Sequence, residues 1–221
     1  MRIDPAGWPF VLGGLILAIA AAFLAGPVYG WVLLGLSAFF LFFFRDPERV
    51  IAAADAAVLS PADGRVMVAG ASTAHDFPAA SWQQISIFLS PMDVHVNRMP
   101  VSGRVIALSY RPGRFINASF DKASEHNERM SARIRPDGRD EADDLAVIQI
   151  AGLVARRIKC DLAEGATVER GERYGIIRFG SRLDVYLPPR TRVVAKEGQH
   201  VKAGETILAA FSSGVTDRAR W

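Results

Sequence analysis

The chain has 221 residues, of which 50% are hydrophobic and 22% are charged, so it can bury a sizeable core and is not intrinsically disordered. The formal net charge is only +3 and the basic residues are dispersed, which argues against a nucleic-acid partner. A single cysteine, Cys160, excludes an intrachain disulfide and is typical of a reducing compartment.

The N-terminal segment is unlike the rest of the chain, because residues 5–44 include no charged side chain. It contains two apolar runs, Trp8–Ala25 and Val28–Phe44, separated by Gly26 and Pro27. Each run is about as long as the shortest helices that span a bilayer, so the pattern predicts a helical hairpin. A secretory signal peptide fits poorly, because the second apolar run follows the first at once.

Arginines flank both ends of this predicted hairpin, at Arg2, Arg45 and Arg49. Positive charge favours the cytoplasmic side of a membrane. We therefore expect residues 1–45 to anchor the chain in a bacterial inner membrane, with residues 46–221 as a catalytic domain on the cytoplasmic side. The pattern leaves open whether the hairpin spans the bilayer or only enters it.

Beyond Arg45 the chain shows short apolar stretches of period two that are separated by glycine- and proline-containing turns. Clear examples are Arg65–Val68, Gln84–Leu89, Arg104–Leu108 and Leu145–Ile150. This pattern predicts a mainly β (α+β) domain with few and short helices.

The predicted β domain contains an internal repeat. Residues Glu164–Glu172 and Glu197–Glu205 both read Glu-Gly-x-x-Val-x-x-Gly-Glu, and aliphatic residues follow each copy. In each copy a glycine turn enters a short strand and a second glycine turn leaves it. The repeat is similar to the half-repeats of lipoyl- and biotinyl-type barrels, and it predicts a barrel-sandwich fold.

Between the two copies lies a Gly-Ser step, Gly180-Ser181, flanked by apolar residues. Such a step suits a tight turn. It also suits attack of the serine hydroxyl on the preceding carbonyl, because glycine has no side chain to block that approach and tolerates unusual dihedral angles.

The order of several short motifs gives the Gly-Ser step a context. They are Phe44-Arg45-Asp46-Pro47, Ser60-Pro61-Ala62-Asp63-Gly64, Ser90-Pro91-Met92-Asp93-Val94-His95-Val96-Asn97-Arg98, Asn127-Glu128-Arg129 and Phe179-Gly180-Ser181. In this order the set resembles the phosphatidylserine decarboxylase proenzymes, and in particular their short branch. The resemblance covers nearly the whole chain.

The resemblance implies a pyruvoyl enzyme that forms by self-cleavage between Gly180 and Ser181. The larger N-terminal chain would end at Gly180. The smaller C-terminal chain would begin with a pyruvoyl group derived from Ser181 and would remain with the larger one as a heterodimer. The pyruvoyl group would form a Schiff base with the substrate amine, so that phosphatidylserine in the membrane is decarboxylated to phosphatidylethanolamine. Neither a metal nor pyridoxal phosphate is expected.

The same resemblance suggests roles for other residues. Asp63 and His95 match the family's acid/base positions, and the alternation with Val94 and Val96 predicts that His95 faces away from an apolar surface. Arg98 occupies the place of a second histidine found in longer members, which leaves open whether His95 serves both steps or Arg98 binds an anion. Asn127 and Glu128 are candidates for orienting the processing site.

Two other functions remain open at this stage. The first is the same chemistry on another serine-headgroup lipid. The second is a non-enzymatic, membrane-anchored adaptor with a lipoyl-like barrel, although such adaptors usually carry a long helical insertion between the barrel halves.

Overall fold

The computed structural model describes residues 2–52, 56–72, 82–113, 127–152, 158–178 and 180–212. After a 3-10 turn at Pro5–Gly7, the chain forms two helices, α1 at Trp8–Leu24 and α2 at Pro27–Phe43. Gly26 joins the two helices at a φ of 110°, in the left-handed region that favours glycine. The predicted helical hairpin is therefore confirmed.

Small residues allow the two helices of the hairpin to approach closely. A Cβ atom added at Gly30 would lie 2.6 Å from the Cβ of Ala22, and Ser37 Oγ donates a hydrogen bond to the carbonyl of Val11. The outer faces are apolar and exposed, most strongly at Phe23 and Leu24 near the tip. By length and composition, the helical stretch Pro5–Leu24 could cross a membrane, and α2 is a shorter apolar helix.

The rest of the described chain is mostly β-structure, apart from a 3-10 turn at Glu141–Asp143. The strands in chain order are β1 Arg2–Ile3, β2 Arg45–Asp46, β3 Ala57–Leu59, β4 Gly64–Ala71, β5 Gln83–Leu89, β6 Val96–Arg98, β7 Gly103–Arg111, β8 Arg129–Pro136, β9 Leu145–Ile150, β10 Ile158–Cys160, β11 Thr167–Val168, β12 Arg173–Ile177, β13 Ser181–Leu187, β14 Arg192–Val193, β15 His200–Val201 and β16 Ile207–Ala210. This confirms the mainly β prediction.

These strands form one large antiparallel sheet and three small ones. The large sheet has the order β11-β7-β8-β9-β13-β5-β4-β15, and two three-stranded sheets have the orders β10-β12-β6 and β14-β16-β3. The strand pair β1-β2 lies at the base of the helical hairpin. The main core contains aliphatic side chains from strands on both sides of the centre of the large sheet, among them Ile87, Val105 and Val185.

The strand pairings repeat on either side of the sheet's centre, where Val147 of β9 lies opposite Val185 of β13. The hairpin β7-β8 on one side corresponds to β4-β5 on the other. A Cβ atom added at Gly103 or at Gly64 would lie 2.2 Å from a carbonyl oxygen of the partner strand. Both hairpins shift register after the equivalent valines, Val105 and Val66.

The domain thus has two similar halves. We call β3–β5 and β13–β16 the Asp63 half, and β6–β12 the Ser102 half, after the residues that precede β4 and β7. The predicted repeat supplies one copy to each half. Gly165 donates its amide hydrogen to the carbonyl of Val105, and Gly198 donates equivalently to that of Val66, both at 2.8 Å. The expected barrel of half-repeats is confirmed.

The base of the helical hairpin packs against the β domain. Phe43 and Phe44 are fully buried, together with Val94, Val96 and Ile176 of the Ser102 half and its preceding loop. Asp46 of β2 accepts hydrogen bonds from two arginines of the Ser102 half, so the junction is both apolar and ionic. The hairpin is consequently fixed to the domain directly beside the segment that contains His95.

Candidate active site

One edge of the large sheet gathers the predicted site residues. Leu89, the last residue of β5, lies opposite Ser181, the first residue of β13. On the other side of β5, Phe88 lies opposite Arg65, so Asp63 just before β4 reaches the same edge. The loop with His95 leaves the end of β5.

The Gly180-Ser181 step has the features expected of a reactive turn. Gly180 has a φ of 69°, and nothing lies within 4 Å of a Cβ atom added there, so backbone conformation and not crowding favours glycine. Ser181 is fully buried, and its Oγ has no hydrogen-bond partner among the residues that the structure describes. An orphaned buried hydroxyl costs about 1–3 kcal/mol, and such groups are often explained by catalysis.

The ring of His95 is fully buried against Phe43, with 4.1 Å between the ring centroids. The prediction that His95 faces away from the apolar surface is wrong. Residues 94 and 95 precede β6 in irregular backbone, so the alternation of a strand does not apply to them. Burial lowers the pKa of His95 from its ordinary value to about 4, so the imidazole is neutral at neutral pH.

The contacts of His95 also decide which ring nitrogen bears the proton. Nδ1 lies 3.0 Å from the carbonyl oxygen of Asp93, which can only accept a hydrogen bond. In the neutral ring Nδ1 is therefore the donor, and Nε2 keeps its lone pair. Nε2 is buried and has no partner within the described ranges, so it is available to accept a proton.

Asp63 is held by two donors. Its Oδ2 accepts from Arg49 at 2.7 Å, and its Oδ1 accepts from the amide of Ala203 at 2.8 Å. Burial raises the pKa of the carboxyl group, while the amide of Ala203 and the charge of Arg49 act in the opposite direction. The side chain therefore closes a turn and also holds a charge at the site edge.

The equivalent turn of the Ser102 half shows which role of Asp63 the turn itself requires. Ser102 precedes β7 as Asp63 precedes β4, and its Oγ accepts from the amide of Arg170 at 3.0 Å. Arg170 and Ala203 are equivalent residues of the repeat. A neutral hydroxyl thus suffices to close the turn, so the negative charge of Asp63 serves its ion pair with Arg49 and the site edge and is not needed for the turn.

The geometry does not form a hydrogen-bonded triad. Ser181 Oγ and His95 Nε2 have no partners, and Asp63 binds Arg49 and Ala203, so no hydrogen bond joins any two of the three residues. They meet at one edge, but the chain must shift before a proton can pass between them.

Arg98 lies at the junction between the helical hairpin and the β domain. Its guanidinium donates to Asp46 Oδ1 at 3.0 Å, to the carbonyl of Pro47 at 2.9 Å and to that of Gly171 at 3.1 Å. It therefore connects the chain after the helical hairpin to the Ser102 half.

Asn127 and Glu128 lie near the same sheet edge. Asn127 Nδ2 donates to the carbonyl of Ala151 at 2.7 Å, and the amide of Ala151 donates to the carbonyl of Glu128. Glu128 also accepts a hydrogen bond from the hydroxyl of Tyr110. These contacts fix the end of β9, the strand that neighbours Ser181.

One buried polar pair was missed by the sequence reasoning. Gln149 Nε2 donates to Asn97 Oδ1 at 2.8 Å, yet in the described part of the chain Gln149 Oε1 and Asn97 Nδ2 are buried without partners. Gln149 lies opposite Leu183, so it points to the same face of the sheet as Ser181, two residues away. The side chains of Gln149 and Ser181 thus bring buried polar atoms to one face of the large sheet.

A comparison of Ala57–Val66 with Val96–Val105 could have revealed this pair. Both segments end in Pro-x-x-Gly-Arg-Val, and the alignment places Val58 at the position of Asn97. The register likewise makes Leu187 the equivalent of Gln149. The Asp63 half thus fills with apolar residues the positions that are polar in the Ser102 half.

Part of the predicted site falls outside the described residues, namely Phe179 of the Phe-Gly-Ser motif. Within the described ranges, no group of three or more His, Cys, Asp or Glu side chains could hold a metal ion.

Comparison with known proteins now decides the family. The phosphatidylserine decarboxylase family profile matches residues 36–209 of this chain. The chain belongs to the phosphatidylserine decarboxylase family. It is thus a member of a family of decarboxylases, which are lyases.

Individual relatives are similar in sequence to this chain over nearly its full length. A phosphatidylserine decarboxylase proenzyme of Paramagnetospirillum magneticum is 48% identical over 99% of this chain and 90% of its own. Proteins of the same name from Granulibacter bethesdensis and Ruegeria pomeroyi are 50% and 49% identical, over 93% and 94% of this chain and over 84% and 94% of their own.

Proposed function

We propose that this chain cuts itself between Gly180 and Ser181 and then converts phosphatidylserine to phosphatidylethanolamine. The observation that supports self-cleavage is the buried, unpartnered Oγ of Ser181 beside a left-handed glycine. The name of the relatives, which describes a proenzyme, supports a precursor, and family membership supports the decarboxylation.

Self-cleavage begins with attack of Ser181 Oγ on the carbonyl carbon of Gly180. The peptide C–N bond breaks, and an ester joins Gly180 to the serine oxygen. Loss of the Ser181 Cα proton then expels the Gly180 carboxylate by breaking the Cβ–O bond. Water replaces the amino nitrogen, which leaves as ammonia, and residue 181 becomes a pyruvoyl group.

Nε2 of His95 is the base that this sequence requires. It is unprotonated at neutral pH and has no other partner, so it can accept the hydroxyl proton of Ser181 once the loop between β5 and β6 moves toward β13. The Asp63 carboxylate, at the same edge, stabilises the imidazolium that forms. Asn127 and Glu128 hold the neighbouring end of β9 in place.

The residues present fit a pyruvoyl group at position 181. The unpaired Nδ2 of Asn97 and Oε1 of Gln149 lie on the face to which residue 181 points, and both can bind polar groups there. The pyruvoyl group supplies a carbonyl that binds the substrate amine and accepts the electron pair left by carbon dioxide.

The two chains would remain together after cleavage. The second chain supplies β13–β16, and β13 lies between β9 and β5 of the first chain in the centre of the large sheet. Its hydrogen bonds to both neighbours and its buried leucine and valine side chains hold the heterodimer without a covalent link.

We also propose that residues 1–45 insert into a bacterial inner membrane, with the domain of residues 46–221 on the cytoplasmic side. Arg45 lies over the ring of Phe42 and donates to the carbonyl of Met92 at 2.6 Å, so the loop before His95 lies level with the end of α2. Met92 is 56% exposed there. The site would open at the membrane surface, where the substrate is concentrated.

Intact-mass spectrometry of the purified protein tests the proposal. We expect two chains, of which the second begins with a pyruvoyl group, and a single chain from Ser181→Ala. Ser109→Ala, which changes an exposed serine of β7, is the matched control and should cleave normally. A wild-type protein that remains one chain with an intact serine would refute self-cleavage, and cleaved protein without decarboxylase activity on phosphatidylserine would refute the substrate.

A further inference from the structure

The strand that begins at the cleavage site contains a buried ion pair beside that site. Arg182 donates from Nε to Asp184 Oδ1 at 2.6 Å and from Nη2 to Asp184 Oδ2 at 3.0 Å. Arg182 is 5% exposed and Asp184 is fully buried. Their position two residues apart on β13 places both side chains on one face of the sheet.

Two residues of the neighbouring strand β5 also belong to this group. Arg182 Nη2 donates to Ser86 Oγ at 2.9 Å. Gln84 Nε2 donates to Ser86 Oγ at 3.0 Å and to Asp184 Oδ2 at 3.2 Å. We call Gln84, Ser86, Arg182 and Asp184 the β13 clamp, because it connects the first residues of β13 to β5 by side chains.

Stability of the sheet does not by itself explain the clamp. A buried ion pair is often no more stabilising than apolar residues of the same size. In the Ser102 half the position of Asp184 is taken by an alanine. The position of Arg182 is taken there by Asp144, whose buried carboxylate binds Arg133 and Arg135 of β8. Ile87 and Ile134 are equivalent, because they lie opposite the equivalent valines of β4 and β7. Ile87 lies opposite Leu183 and Ile134 lies opposite Leu145, so the residues that follow these leucines, Asp184 and Ala146, are also equivalent.

The two halves differ in what happens at the start of these equivalent strands. β9 follows the continuous turn Glu141–Asp143, whereas β13 would begin at a cut bond. Strand ends without a preceding residue fray. A displacement of about 1 Å at a reacting group can reduce a rate about a hundredfold.

We propose that the β13 clamp holds the new N terminus of the second chain in register after cleavage. This inference rests on the proposed self-cleavage. Arg182 is a positioning residue, because its side chain leaves the sheet on the face opposite to that of residue 181 and so does not reach the substrate. The clamp matters only once the chain is cut, since Gly180 holds the strand before that.

A two-by-two experiment tests this dependence. The clamp is removed by Arg182→Leu with Asp184→Ala, which removes the two paired charges together and introduces at position 184 the residue of the equivalent strand. The cut is removed by Ser181→Ala. Amide hydrogen exchange of residues 182–187 is measured in all four proteins, with residues 145–150 as the internal control.

In the cleaved protein we expect loss of the clamp to speed exchange of residues 182–187 about tenfold or more and to leave residues 145–150 unchanged. In the uncut Ser181→Ala background we expect a change of less than about twofold. In detergent micelles, kcat for phosphatidylserine should fall about tenfold while KM stays nearly constant, as for a misplaced reacting group.

Equal acceleration in cut and uncut proteins would overturn the inference in favour of a purely structural pair, and so would no acceleration in either. Intact mass is measured first. A double variant that does not cleave would assign the pair to processing instead, whereas wild-type protein that does not cleave refutes the proposed function itself. If the double variant does not fold, Arg182→Lys keeps the charge but loses the bidentate geometry, and it must show the same dependence on the cut.

Discussion

The two halves of the β domain share a backbone plan but differ in a few side chains. The segments Ala57–Val66 and Val96–Val105 form equivalent strands and turns, with glycines at equivalent close approaches. In the first, a carboxylate closes the turn, whereas a hydroxyl closes it in the second. The shared features show what the fold needs, and the differences mark what it does not need.

By this criterion two features go beyond what the shared turns and strands require. They are the carboxylate of Asp63 and the amide pair Asn97–Gln149. Both lie near the edge or the strand that contains Ser181. We infer that the residues for catalysis lie at one edge of a symmetrical barrel, and that the rest of the barrel has a structural role.

The largest effect is expected from giving Asp63 the residue of the other half. Asp63→Ser retains an acceptor for the amide of Ala203 but removes the charge, so the rate of self-cleavage should fall about a hundredfold or more. Ser102→Ala removes only the turn acceptor. It should lower the free energy of unfolding by about 1 kcal/mol and leave cleavage unchanged. The precursor fraction is followed by mass spectrometry after synthesis in a cell-free system. Normal cleavage of Asp63→Ser would show that Asp63 only closes a turn.

A smaller effect is expected from exchanging the polar pair. Asn97→Val with Gln149→Leu introduces the residues of the Asp63 half, so the protein should melt no lower than the wild type, because no polar atom is left unpaired. Turnover of phosphatidylserine should fall about tenfold, as expected when a polar contact to substrate is lost. Asn97→Val alone leaves Gln149 unpaired and should cost about 1–3 kcal/mol in the free energy of unfolding. Full activity of the stable double variant would contradict a role in the site.

The equivalent loops that follow β5 and β8 differ in their contacts. In the described structure, only the loop after β5 contacts the helical hairpin. Met92→Asp should reduce activity on phosphatidylserine vesicles several-fold, because insertion of a charge at the bilayer edge costs about 1 kcal/mol or more. Activity on detergent-dispersed substrate should change little. Met67→Asp, on exposed β4, is the matched control. An equal loss on both kinds of substrate would separate this loop from the membrane.

The smallest effect concerns pH. Because the pKa of His95 is lowered to about 4, its Nε2 remains unprotonated as pH falls from 8 to 5. Protonation of His95 should therefore change the self-cleavage rate by less than about twofold in this range, with a steep loss only as pH approaches 4. The self-cleavage rate is measured across this pH range in the wild type and in the Asp63→Ser variant, which lacks the carboxyl group at the site edge. An inflection near 6.5 in both proteins would contradict a buried neutral base.

Much of this architecture could be predicted from the sequence. The uncharged run marks the helical hairpin, and the glycine repeat marks the barrel halves, because both depend on local composition and turn chemistry. The direction of His95 could not be predicted, since irregular backbone before β6 replaces strand alternation. The Asn97–Gln149 pair and the β13 clamp depend on register between strands distant in sequence, which local patterns do not contain.

The central position of β13 in the large sheet determines the order in which folding and cleavage can occur. A strand whose neighbours both belong to the first chain can reach its place only while the chain is still continuous, or by a bimolecular encounter of two incomplete pieces. In the proposed enzyme, folding must therefore precede the cut. Once the mature protein unfolds, the route by which it was made is closed, so its lifetime depends on how slowly it unfolds and not on an equilibrium with the unfolded chains.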